Sequence, residues 1–206
     1  MSGAFQAFEP VEGDYPPERR SGARHMSVLR AGRISFDGDD HLCIVRNISA
    51  GGLMVGCNTP PQPERRVTVE LRSDKQMHGL VRWSRDGQCG IQVDEPIDVE
   101  QVLREERNPL LRIRPRAPRF VRRGTVKLIG EGDPVIGDVM DISIGGLSCR
   151  PDRPLKRGEP VVASISGLVA TTAEVRWTKG DVVGIRFEKP LPWRGFADWL
   201  EQAPRG

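Results

Sequence analysis

The stretch NISAGGL at 47–53 returns as DISIGGL at 141–147, 94 positions later. A second pair keeps the same offset: VRWSRDGQCGIQV at 81–93 and VRWTKGDVVGIRF at 175–187. In both copies the first residue of the heptad stands 36 positions before a tryptophan (Trp83, Trp177). That tryptophan stands seven before a glycine (Gly90, Gly184). Two anchors at one spacing indicate a duplicated domain. The segments between them agree in layout, with a proline-rich connection (59–66, 150–160) leading into a β-branched run (67–71, 161–166). The chain therefore reads as two domains of roughly 90 residues each.

Domains of that size bury modest cores and can lean on one another. A content of 37 % hydrophobic and 29 % charged residues describes an ordinary water-soluble chain. No apolar run approaches the ~20 residues a membrane span needs. The N-terminal sequence lacks the basic start and apolar centre of a secretory signal, so a cytoplasmic location is expected. Cys43, Cys57, Cys89 and Cys149 are irregularly spaced and form no CxxC pair. They read as buried free thiols rather than as metal ligands or a disulfide framework. The net charge is only +3, but RIRPRAPRFVRR at 112–123 places six arginines at the junction of the repeats.

Short strands punctuated by turn residues fill both copies: 29–36, 41–48, 52–57, 66–72, 77–83 and 89–93, then 124–129, 135–142, 146–150, 161–166, 173–177 and 182–187. Asp86-Gly87 is a hairpin signal, and GEGDP at 130–134 reads as another hairpin turn. Six strands per repeat predict small all-β barrels or sandwiches. Each repeat ends in a helix candidate. Asp98 with Gln101 can form a capping box ahead of Val102 and Leu103. Trp193, Phe196, Ala197 and Leu200 form a helical stripe suited to a barrel wall. Trp83 and Trp177, two residues beyond an apolar valine in an alternating strand, are expected in the core along with the helix aromatics.

Asn47 and Ser49, two apart in extended chain, point to one face. Gly51-Gly52 permits positive φ and close approach of a bulky group. A planar amide beside a hydroxyl suits the edge of a purine. The alternative is a tight turn in which these side chains cap their own backbone. Arg19, Arg20 and Arg24 sit ahead of this face on a Pro-, Gly- and Ser-rich segment, and guanidinium groups grip phosphates and stack on flat rings.

RxxxR (Arg20 to Arg24) followed by [D/N]xSxxG (Asn47, Ser49, Gly52) and a six-stranded pattern resembles the PilZ domain, a bacterial receptor module for the second messenger cyclic di-GMP. The resemblance implies two tandem six-stranded β-barrels, each followed by a short C-terminal helix. Their expected extents are 16–107 and 108–206, after a disordered segment at 1–15. It implies that Arg20 and Arg24 hold phosphate and stack on guanine, Asn47 and Ser49 meet the guanine edge, and Gly52 leaves it room. Arg19, just before RxxxR, would influence whether one ligand or a stacked pair binds.

The second copy keeps Asp141, Ser143 and Gly146. Counted back from its first strand, Arg119 takes the place of Arg24, but Pro115 stands four before it. Arg116 and Arg123 are the other candidates for its arm. The ligand implied is cyclic di-GMP, with no cofactor or metal and with a downstream protein partner. Two other readings compete: a PilZ-fold interaction adaptor that binds no ligand, and a small basic barrel touching nucleic acid through 112–123. The second has little support, because the chain offers no aromatic-rich strand for stacking bases. An enzyme is the least favoured reading. His25, His41 and His78 have no counterparts in the second copy, and no phosphate-binding loop is present.

Overall fold

A computed structural model describes residues 26–72, 75–102 and 117–203. Arg19, Arg20, Arg24 and Arg116 lie outside the described residues, as does the segment 1–15.

The first copy folds into strands β1 (Met26–Phe36), β2 (Asp39–Ser49), β3 (Gly52–Cys57), β4 (Arg66–Arg72), β5 (Lys75–Arg85) and β6 (Gln88–Val93). The second gives β7 (Thr125–Ile129), β8 (Val135–Ser143), β9 (Gly146–Pro151), β10 (Pro160–Ile165), β11 (Thr171–Lys179) and β12 (Val182–Phe187). Each set closes into an antiparallel barrel, in the orders β1-β2-β3-β6-β5-β4 and β10-β11-β12-β9-β8-β7. Closure removes the unpaired edges a short sheet would otherwise expose. The turns follow the chemistry of their residues. Asp37 and Gly38 have φ of 51° and 82°, and Asp86 and Gly87 have 52° and 72°, the left-handed pair of a tight two-residue hairpin. GEGDP joins β7 to β8 as expected.

The offset of 94 holds bond by bond. Arg33 pairs with Leu42 as Lys127 pairs with Ile136. The loop bonds Val93 N→Gly51 O and Ile97 N→Ala50 O recur as Phe187 N→Gly145 O and Leu191 N→Ile144 O.

Inside the first barrel lie Ile34, Val45, Ile48, Val55, Val69 and Val81, and inside the second Val126, Leu128, Ile142, Leu147 and Val175, all essentially without solvent contact. The helical turn α1, described over 99–102, starts where predicted, with Asp98 Oδ1 accepting from the Gln101 N–H at 2.9 Å. Helix α2 (Trp193–Gln202) buries Phe196, Ala197, Trp199 and Leu200. Its Trp199 Nε1–H donates to Ser166 O at 2.9 Å. No described helix is long and apolar enough to cross a membrane.

The barrels touch. Leu42 of β2 joins the second barrel's core cluster. His41, 7 % exposed, stacks on Phe36 at 4.5 Å and sets its Nδ1 2.9 Å from Glu201 Oε1 of α2. Asn58 Nδ2 donates to Asp198 Oδ1 at 2.8 Å.

All four cysteines are free thiols, three of them buried. Burial pushes the Cys57 thiol up from 9.0 to about 12, with Cys89 and Glu201 adding to the shift. Burial alone takes Cys89 to about 11.

A raised folded-state pKa means the neutral thiol is favoured, so its stabilisation is full below the ordinary value and lost as pH climbs through the folded one. Denaturant titrations should therefore show stability falling between roughly pH 9 and 12. Alkylation at pH 8 should proceed much faster in denaturant than in the folded chain. Phe196→Ala empties a fully buried site and should destabilise the second barrel by about 3–5 kcal/mol in the same titration.

Candidate functional site

Strand β2 alternates inward and outward residues until a bulge between Val45 and Asn47. Val45 points into the core, and simple alternation would send Asn47 there too. The extra residue Arg46 reverses that parity, so Asn47 faces outward and Ile48 takes the next core position. Strand β5 does the same between Val81 and Trp83, with Arg82 as the extra residue. Trp83 is therefore only half-buried on the outside, and its counterpart Trp177 is 41 % exposed. The expectation that both tryptophans belong to the core is corrected by these bulges.

The reversed residues fall in one row. Asn47 pairs with Met54, Met54 with Gly90 and Gly90 with Trp83, crossing β2, β3, β6 and β5. The indole lies so close to Gly90 that a Cβ there would sit 2.0 Å from its Nε1. Here a bare glycine makes room for an aromatic neighbour. Arg85 places its guanidinium 5.3 Å from the Trp83 ring. Around this row opens a concavity of about 550 Å³, lined by Asn47, Ser49, Gly52, Arg82, Trp83 and Gln92 among others. Arg82 Nε donates to Gln92 Oε1 at 2.7 Å, fixing one wall.

Ser49 and Gly52 have structural duties as well. The Ser49 hydroxyl donates to Gly52 O at 3.2 Å, as Ser143 does to Gly146 O at 3.1 Å. Neither Gly51 nor Gly52 has a positive φ. Gly52 is required instead because a Cβ would sit 2.5 Å from Ile91 O; at Gly146 the distance to Ile185 O would be 2.3 Å. The bulky group approaching this glycine is the neighbouring strand.

The chain ahead of the motif is placed by β1, whose Met26 pairs with Ile48 and Ser27 with Asn47. Phe120 pairs with Ile142 in the second barrel at the same offset. That register matches Arg119 to His25 and Pro118 to Arg24, one position away from the alignment obtained by counting back from the first strand.

The second row runs Asp141, Ser148, Gly184, Trp177. Asp141 forms an ion pair with Arg119 through one oxygen and accepts from the Ser148 hydroxyl at 2.7 Å through the other. Ser148 faces outward yet is only 4 % exposed. Arg123 is exposed. Among the described residues no cluster of His, Cys, Asp and Glu could hold a metal ion.

Sequence reading thus placed Asn47, Ser49 and Gly52 together but missed Trp83, Arg82 and Gln92. The available signal was the Trp-to-Gly spacing of seven, repeated in both copies across a hairpin turn.

The chain is similar to Borreliella burgdorferi PlzA solved in complex with c-di-GMP, at 11 % identity and TM-score 0.38, covering 86 % of this chain and 91 % of that one. Bacillus subtilis inhibitor of motility MotI/DgrA is 14 % identical, with TM-score 0.36 and 86 % and 97 % covered. Escherichia coli YcgR in complex with c-di-GMP is 13 % identical, with TM-score 0.37 and 84 % and 80 % covered. No curated protein matches the sequence significantly. Residues 18–108 and 113–193 each match the PilZ domain, and with two six-stranded barrels built on one repeated register the chain belongs to the PilZ domain family.

Proposed function

We propose that the chain is a receptor for cyclic di-GMP whose binding site is the outward row of the first barrel. The observation that carries this reading is the pair of bulges that turn Asn47 and Trp83 onto one concave face beside Ser49. An amide, a hydroxyl and an indole then surround a space open to a flat, hydrogen-bonding ring. Guanine is such a ring: its edge offers donors and an acceptor, and its face stacks on aromatics. Family membership supports the same ligand class. Arg20 and Arg24 supply the cations that a doubly charged dinucleotide requires. Arg19 adds a third cation for a stacked second ligand.

Binding at this row would draw the segment 16–25 over the barrel and shift the population of its arrangements. A change of that kind gives a downstream protein something to read. The reading assigns recognition rather than catalysis to the chain.

Calorimetric titration of the full chain with cyclic di-GMP tests it. Arg24→Ala should weaken binding by roughly one to two orders of magnitude, the loss of a charge-assisted hydrogen bond of about 1.5–3 kcal/mol. Trp83→Ala removes base stacking of about 1–3 kcal/mol and should raise Kd about 5- to 150-fold. Wild-type chain that takes up no heat, or both variants at unchanged affinity, would overturn the assignment.

A further inference from the structure

The two rows carry one backbone and different chemistry. Asp141, Ser148 and Arg119 stand where the first copy has Asn47, Met54 and His25. In the second row one oxygen of Asp141 holds the Arg119 guanidinium and the other holds the Ser148 hydroxyl. A guanidinium presents a planar edge of N–H donors, the same edge by which guanine would address a carboxylate. The chain therefore fills this row with a group that resembles the ligand's own donor edge.

Arg119 is also anchored from behind. Its carbonyl accepts from Arg33 Nη1 of the first barrel at 3.3 Å, and that arginine is ion-paired to Asp40 and to the buried Glu70. Next to it Phe120 is fully buried and exchanges both backbone bonds with Ile142. Two residues on, Arg122 is 5 % exposed, donating to Leu200 O of α2 at 3.1 Å and to Asp40 O of the first barrel at 2.8 Å. Residues 119–122 are thus fastened to the second motif, to the second core, to α2 and to the first barrel.

We infer that the second motif is a closed lock: Arg119 occupies it, and Asp141 holds the strap that joins the barrels instead of receiving a ligand. Binding is confined to the first barrel. That confinement rests on the cyclic di-GMP reading above, whereas the lock itself does not.

Wild-type chain, Asp141→Asn and Asp141→Ala are compared in three measurements: calorimetry with cyclic di-GMP, and thermal unfolding and solution scattering without it. Asp141→Asn keeps the shape and the Ser148 partner while removing the charge, so it guards against a variant that merely fails to fold. Both variants should bind as many ligand molecules per chain as wild type, with affinity within about threefold. Both should lose roughly 2–6 °C of unfolding midpoint and scatter as a looser pair of barrels. Fewer ligand molecules per chain in either variant would make the second row a binding site and overturn the inference. Unchanged midpoint and scattering in both would overturn the lock. Wild-type chain that binds no cyclic di-GMP would sink the receptor reading, and the unfolding and scattering results would still decide the lock.

Discussion

One extra residue in a strand, placed in β2 and β5 and again in their counterparts β8 and β11, determines what this protein shows to the outside. Val45 and Val81 belong to the core, and a regular strand would carry Asn47 and Trp83 inward behind them. An amide without partners in the core would lose its bonds to water at a penalty of about 1–3 kcal/mol. The bulges at Arg46 and Arg82 avoid this by reversing the parity midway along each strand. Core and site can then share β2 and β5 without conflict, because the switch from one task to the other lies within the strand.

The same economy of position governs the turn between β2 and β3. Ser49 and Gly52 close the hairpin on themselves, and the glycine lets β3 approach β6 until no Cβ could fit. The tight-turn reading of the motif is therefore correct as far as it goes. It does not compete with a binding role, since a hairpin drawn against its neighbour is what gives the concavity a firm floor. A side chain at Gly52 would force the strands apart and displace Asn47 and Trp83 together.

How far the sequence disclosed this depends on the kind of interaction. The twelve strands, the tight turn at Asp86-Gly87, the hairpin connection at 130–134 and the buried stripe of α2 were legible because each is set by residues close in the chain, and the duplication because its spacing is constant. Trp83 and Trp177 were misplaced because period-two alternation was carried through a bulge, and a bulge is fixed by the pairing of two strands rather than by either alone. Of the two properties read at Gly51-Gly52, the close approach occurs at Gly52 and the positive φ does not. The constraint on Gly52 comes from Ile91, 39 positions away in the chain, and not from its own dihedral angles. Arg119 was matched to the wrong partner because the start of a strand is a poorer ruler than the bridge between Phe120 and Ile142. The inter-barrel contacts of Arg33, Arg122 and His41 left no trace in the sequence that distinguished them from other surface charges.

Duplicated domains need not diverge by moving their backbones. At the shared offset, a carboxylate stands at 141 where the first copy has an amide, a hydroxyl at 148 where it has a thioether, and a guanidinium at 119 where it has an imidazole. Each difference alone is small. Together they place a charge pair and a hydrogen bond where the first copy has the edge of an open concavity. The pair is partly shielded, with Asp141 and Arg119 side chains 29 % and 39 % exposed, so its net contribution stays near the ~1 kcal/mol of a surface ion pair. Its larger effect is on geometry. The backbone that carries Arg119 is held at its carbonyl by Arg33 and next door by the exchange between Phe120 and Ile142, which positions the guanidinium beside Asp141. A weak bond tied to several stronger neighbours gains their rigidity, and that is how a recognition motif can be turned into a joint while its fold stays unchanged.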